Sequence, residues 1–188
     1  MRRLAIASLK TLVLIVHLTA APAAAQAGPA MAAGPADALS ARPARRTNTP
    51  SGEPVPRFVS LKSDETYCRA GPSFDHPVTA RYVRAGAPVL VVAETVDHWR
   101  KIRDVEGAEC WIHKTMLGQV SHVIAQTETT LRARPDAQAP ARARLAPGVM
   151  AKIERRQDGW LRIAAGGVRG WAERGGLWGA DLSVAPHN

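Results

Sequence analysis

Cysteine, phenylalanine and tyrosine are scarce in this chain, at two residues each in 188. Two thiols alone make a poor metal site, and no further ligands stand at a suitable spacing around Cys68 and Cys110. The chain has no H-E-x-x-H, no phosphate-cradling glycine loop and no G-x-S-x-G, which removes the usual signatures of zinc peptidases, nucleotide enzymes and serine hydrolases. The histidines at 17, 76, 98, 113, 122 and 187 are scattered. Thiol attack by Cys68 or Cys110, aided by His113, needs a free cysteine. A non-catalytic protein without metal or cofactor is the expectation. Past the first twenty residues there is no apolar run long enough to cross a bilayer, so no stable membrane span is expected in the mature chain.

What is present begins with an export signal. Arg2, Arg3 and Lys10 precede and enter the apolar stretch Leu9 to Leu18, and small residues follow. Ala23-Ala24-Ala25 and Ala25-Gln26-Ala27 both fit a small-x-small cleavage rule, so residues 1–27 are assigned as a signal peptide and the mature protein as periplasmic or secreted. Acids are few. Against 25 Lys and Arg stand 16 Asp and Glu, a formal charge of +9, and loss of Arg2, Arg3 and Lys10 lowers it to about +6. A basic exported protein meets anionic envelope polymers and acidic partners. Nucleic acid is the ordinary reading of a high pI, and export argues against it. An arginine-rich solvated surface is the plainer alternative.

Residues 28–56 carry six prolines and no aromatic residue. Such a segment buries too little apolar surface to offset its ordering entropy and is expected to be a disordered tether, with 181–188 as a tail.

The rest is a duplication. Glu65-Thr66-Tyr67-Cys68-Arg69-Ala70-Gly71-Pro72 is echoed by Glu128-Thr129-Thr130-Leu131-Arg132-Ala133-Arg134-Pro135. The echo continues through Pro77 and Pro140, Gly86 and Gly148, Asp97-His98-Trp99 and Asp158-Gly159-Trp160, Ile102 and Ile163, Trp111 and Trp171, and Leu117 and Leu177. The offset falls from 63 to 60, as three single deletions in loops would give. Each copy is near the lower size limit for an independent domain. The expected modules are 57–125 and 126–180.

Both cysteines lie in the first copy. An even count in an exported chain favours a disulfide, which would close a loop of about 42 residues and add roughly 4 kcal/mol in the chain-entropy account. A metal site or a catalytic thiol is the competing reading. Leu131 and Gly170 occupy the matching places in the second copy.

Short apolar runs bounded by turn residues predict strands at Pro88–Thr95, Trp99–Asp104 and Ala108–His113. A helical turn is expected at Lys114–Leu117 and a closing segment at Gly118–Ala125. Gly71–Gly86 reads as a long loop. The second copy repeats the scheme at Val149–Arg156, Leu161–Ala165 and Val168–Arg174. Short strands without a helical period suggest small antiparallel barrels. Side chains alternate across a strand. If Ile102 points inward, Arg100 and Asp104 do too, while Trp99, Lys101 and Arg103 face outward. Cys110 and Ile112 share the inner face, opposite Trp111 and His113. In the second copy Trp160 and Arg162 face outward. Each module then presents a tryptophan beside cations, a frequent recognition surface. The alternative for these tryptophans is a half-buried plug between barrel and loop, which is favoured for Trp111 and Trp171.

Arg-Ala-Gly-Pro at 69–72, Trp-Arg-Lys-Ile at 99–102 and Gly-x-x-Cys-Trp-Ile-His at 107–113 resemble the motifs of bacterial SH3-like domains. The resemblance covers roughly 58–125 and, more weakly, 127–180, and is greatest to the exported tandem variety. It implies an all-β fold of two tandem SH3-like barrels, each five-stranded, of a kind often used to hold peptidoglycan or its peptide stems. Cys110 replaces the family's usual glycine and Cys68 an apolar residue, a joint change that supports pairing. By position Trp99, Pro72, His113 and Met116 would line the groove, with Lys101, Arg103, Trp160 and Arg162 as further ligand candidates. Arg134 and Glu173 depart from the pattern in the second copy and put its groove in doubt. Two binding roles follow from this. One is docking on a cell-wall polymer, the other is capture of a periplasmic protein's loop or proline-rich tail.

Overall fold

The computed structural model describes residues 45–180. The signal, most of the tether and the tail lie outside them. Almost every element is a strand, and the strands form two seven-stranded antiparallel sheets.

The first sheet contains β1 (Arg57–Leu61), β2 (Thr66–Arg69), β3 (Val78–Tyr82), β4 (Pro88–Glu94), β5 (Trp99–Arg103), β6 (Glu109–His113) and β7 (Leu117–Gly118) in the order β3-β2-β6-β5-β4-β1-β7. The second contains β8 (His122–Ala125), β9 (Thr129–Arg132), β10 (Ala141–Leu145), β11 (Met150–Gln157), β12 (Trp160–Ala165), β13 (Val168–Glu173) and β14 (Leu177–Trp178) in the order β10-β9-β13-β12-β11-β8-β14. The topology repeats strand for strand, as a duplication requires. Each unit has seven strands, not five. Strand β3 falls inside the stretch that reads as a loop, and β7 is only two residues long.

Turn chemistry places the hairpins. Asp158 and Gly159, between β11 and β12, both have positive φ, the backbone of a tight hairpin matched to strand twist. The β5–β6 turn is tied by Asp104, whose Oδ1 accepts from the Glu106 and Ala108 amides at 3.0 and 2.9 Å. Tyr82 donates to its other oxygen at 3.0 Å. A single 3-10 turn, Lys114–Met116, precedes β7, and Arg174–Gly176 does the same before β14.

Two sequence boundaries move. His122–Ala125 does not close the first barrel. It pairs with β11 and β14 and opens the second, because Val123 and Ala125 are buried in the second core. The tether also ends sooner than its composition suggests. Arg46 and Val55 exchange backbone hydrogen bonds at 2.7 and 2.9 Å, and Val55 is buried in the first core. One apolar side chain with a place in the core is enough to order this end of a proline-rich segment.

The first core packs Val55, Leu61, Val89, Val91, Ile102 and Ile112 around the Cys68–Cys110 disulfide, whose Cα atoms lie 5.7 Å apart on β2 and β6. The second core packs Val123, Leu131, Leu161, Ile163 and Leu177. At the matching place Leu131 lies against Gly170, where an added Cβ would come within 2.7 Å of the Leu131 Cβ. A leucine over a glycine fills the space that the first barrel gives to two sulfurs.

The barrels touch. The Trp178 indole donates from Nε1 to the Pro88 carbonyl at 3.0 Å and packs edge-on to Phe58 at 4.8 Å. The Ser121 amide donates to Ser60 Oγ at 3.2 Å, which in turn donates to the Gly86 carbonyl at 2.9 Å. Gly179 leaves no room for a side chain, since a Cβ there would meet Pro88 at 2.9 Å.

Candidate binding site

The register of β5 and β6 sets the outer face of the first barrel. Trp99 pairs with His113, Lys101 with Trp111 and Arg103 with Glu109, while Arg100 pairs with Ile112 and Ile102 with Cys110. Side chains opposite one another share a face, so one stripe carries two tryptophans, His113, two cations and Glu109, and the other faces the core, as alternation predicts. Arg69 of β2 pairs with Trp111 and extends the stripe.

At one end of the stripe the rings gather. Trp99 and His113 lie 5.5 Å apart at 74°, and His98 lies 6.4 Å from His113. Phe74, from the loop after β2, closes over them at 4.9 Å from Trp99 and 5.8 Å from His113. Arg69 fixes that loop by donating from Nη1 to the Phe74 and His76 carbonyls at 3.0 and 2.7 Å, and its guanidinium lies 5.6 Å from the Phe74 ring centre. Edge-on geometry at these distances adds roughly 0.5–1.5 kcal/mol per aromatic pair. Trp99 is therefore covered, at 4 % exposure, while Phe74 is 68 % exposed. The outward tryptophan of the sequence reading is the floor of the cluster, and Phe74 is its solvent-facing part.

His113 is shifted below the ordinary histidine value, first by burial and then by His98, Lys114 and Arg100. Its Nδ1 lies 2.9 Å from Thr115 Oγ1.

The other sequence candidates separate. Lys101 and Arg103 both bind Glu109, each at 2.6 Å, and the paired cations hold the Glu109 carboxyl below its usual range, Lys101 contributing most. Met116 packs against the first core, since the 3-10 turn carries its side chain inward. Pro72 is half-buried in the loop that leads to Phe74. Trp160 lines a shallow cavity of about 280 Å³ with Thr129, Arg132 and Glu173. Arg162 is bound to Glu154 at 3.3 Å. Trp111 is half-buried and Trp171 buried.

Phe74, Arg69 and Trp178 were absent from the sequence candidates. Phe74 and Trp178 shared one available signal, an aromatic residue whose counterpart in the second or first copy, Ala137 or Gly118, has no ring.

Among the described residues no helix is long and apolar enough to span a membrane, and no group of three or more His, Cys, Asp or Glu could hold a metal ion.

Residues 62–118 and 125–179 each match the bacterial SH3 domain family. The chain belongs to this family. Its two SH3 domains are the two barrels, and the matched segments fall within the two sheets. No curated protein matches the chain. Among solved structures it is similar to NlpC2 of Trichomonas vaginalis, with 15% identity over 65% of this chain and 48% of that one and a TM-score of 0.31. NlpC1 of the same organism gives 16% identity over 65% and 45%, with a TM-score of 0.29. An NlpC/P60 family protein of Bacillus cereus gives 10% over 64% and 55%, with a TM-score of 0.30. The chain spans about half the length of these proteins.

Proposed function

We propose that this is an exported, non-catalytic binding protein that docks on peptidoglycan or its peptide stems through the first SH3 domain. The observation that carries the reading is the Phe74–Trp99–His113 cluster, an aromatic shelf with Arg69 at its edge. Rings of this kind cover the apolar faces of sugars and peptides, and a cation beside them meets a stem carboxylate. A disulfide on the adjacent strands suits an oxidising compartment, in keeping with the export signal of the sequence. The net positive charge suits an anionic polymer.

A specific observation supports a second reading, a protein partner in the same compartment. Tyr67, Phe74, Val78, Val83 and Val96, all large exposed apolar side chains, lie in the first barrel, against Val168 in the second. Apolar residues collected on one domain are a common mark of a protein-binding face.

Co-sedimentation with purified peptidoglycan separates the two. Phe74→Ala is the informative variant, because Trp99 is buried and its loss would weaken the barrel itself. Retention of the wild type that falls at least several-fold in a folded Phe74→Ala protein supports wall docking. No retention of the wild type at low salt moves the role to a protein partner, to be sought by crosslinking.

A further inference from the structure

The aromatic shelf leaves unexplained a second concave region, a cleft of about 700 Å³ whose wall includes Arg57, Arg100 and Lys114 of the first barrel and Arg156 of the second. Its remaining surface includes the apolar side chains Phe58, Val59, Val91, Leu117 and Val120. The volume lies within the range of small-molecule sites. We infer that this cleft is a binding site for an anionic ligand, a carboxylate or phosphate with an apolar portion, and that both barrels contribute to it.

The cations are arranged in two tiers. Glu94, whose side chain is fully buried, is ion-paired through Oε1 with Arg57 Nη2 at 2.5 Å and Arg100 Nε at 3.0 Å, and its Oε2 accepts from the Ser51 amide at 3.1 Å. One carboxylate thus fixes two guanidiniums and cancels one of their charges. Arg100 is 5 % exposed. Its Nε is ion-paired with Glu94, its Nη1 donates to the Trp99 carbonyl at 3.2 Å, and its Nη2 has no acceptor among the described residues. A donor left open in this way can be met by a ligand oxygen in the cleft. Lys114 and Arg156 form the outer tier, with no carboxylate within salt-bridge distance among the described residues. Glu53 is the acidic residue on the cleft wall, so the surplus charge remains positive.

The duplication argues that these residues are not needed to build a barrel. The position of Arg100 is taken in the second barrel by Leu161, which is buried in the core. By strand register Glu94 opposite Arg100 corresponds to Arg156 opposite Leu161. One barrel solves this corner with a leucine, the other with a buried ion pair. A buried ion pair is rarely more stabilising than a well-packed apolar residue, so the charge is explained by binding more readily than by folding. The inference does not depend on the wall-docking role, which uses another face.

The test is an amide-resolved NMR titration of the full mature protein with hexanoate, hexyl phosphate, hexanol and hexylamine. The expected result is saturable shifts at Val59, Gln119 and Val120 with the two anions and none with the alcohol or amine. Tighter binding of hexyl phosphate assigns a phosphate ligand, and tighter binding of hexanoate a carboxylate. Lys114→Gln with Arg156→Gln, two exposed positions outside both cores, should weaken either anion by about tenfold or more, as loss of charged hydrogen bonds does. Arg100→Leu, which puts the second barrel's residue at this one position, should weaken it also, with the fold checked by the dispersion of the amide spectrum. Equal shifts with all four probes, no saturable shifts at all, or anion binding unchanged in the double variant would overturn the inference. Because none of these variants touches Phe74, loss of wall retention and loss of anion binding are separable results.

Discussion

The two barrels share a topology strand for strand, and three of the places where they differ show what the duplication has done. Where the first is stapled by Cys68–Cys110, the second packs Leu131 over Gly170. Where the first covers its tryptophan with Phe74 and sets His113 beside it, the second has Ala137 and Glu173 and leaves Trp160 lining a shallow cavity. Where the first buries Arg100 against Glu94, the second buries Leu161. The fold tolerates both members of each pair. The barrel topology therefore does not require the staple, the ring cluster or the ion pair, and the last two are open to service in binding.

The largest effect that could break this comparison is loss of the staple. Replacing Cys68 and Cys110 together by Ser should cost the first barrel roughly 4 kcal/mol and leave the second almost untouched. Domain-resolved hydrogen exchange would read this directly. Equal loss of protection in both barrels would show that their cores are not separate. The converse experiment installs the staple: Leu131→Cys with Gly170→Cys should form a second disulfide, detectable by mass spectrometry, because the two positions match those already bridged.

Next in size is Gly170→Val. Its branched side chain would have to displace Leu131 or the Arg132 carbonyl, 2.7 and 3.1 Å from the first added carbon. A loss of about 1–3 kcal/mol is expected, as for other overpacked cores, seen as a lowered denaturant midpoint for the second barrel. Trp178→Ala should cost less, on the order of 1–2 kcal/mol for one partly buried hydrogen bond and one aromatic edge. Its clearer sign is a looser relation between the barrels, visible as separate tumbling in NMR relaxation.

The smallest effect is titration at His113, a position held by Glu173 in the second barrel. The folded protein binds a proton there less readily than the unfolded chain. The associated stability is therefore complete above the ordinary histidine value near 6.5 and is lost as pH falls through the lower folded value. His122, at the contact between barrels, is shifted the same way by burial, Lys152 and Arg84, so both contribute to an acid-side decline. His113→Gln should remove one share of it, measurable by comparing melting midpoints at pH 7 and pH 5. An unchanged slope would place the pH sensitivity elsewhere.

Much of this architecture was legible in the chain. The repeat, the valine-rich strands and the alternation around Ile102 located the sheets and put Arg100, Cys110 and Ile112 on the inner face. What alternation cannot show is which loop folds back over an outward side chain. Trp99 faces outward on its strand and is still buried, because Phe74, twenty-five residues earlier, closes on it. Composition misled at Val55 for a related reason. A proline-rich segment has low average hydropathy, but one valine with a pocket in the barrel suffices to order its end. The cleft was illegible because it joins Arg57, Arg100 and Lys114 to Arg156 across a contact made by Trp178, a residue whose repeat counterpart is a glycine.

The central claim is that the aromatic shelf of the first barrel, and not the altered groove of the second, carries recognition. The most direct measurement is an NMR footprint of soluble peptidoglycan fragments on the full mature protein. Shifts are expected to saturate at Phe74, His98, Trp99 and His113 and to stay absent at Trp160 and Glu173. Shifts confined to Trp160 and Glu173, or none in either barrel, would contradict it.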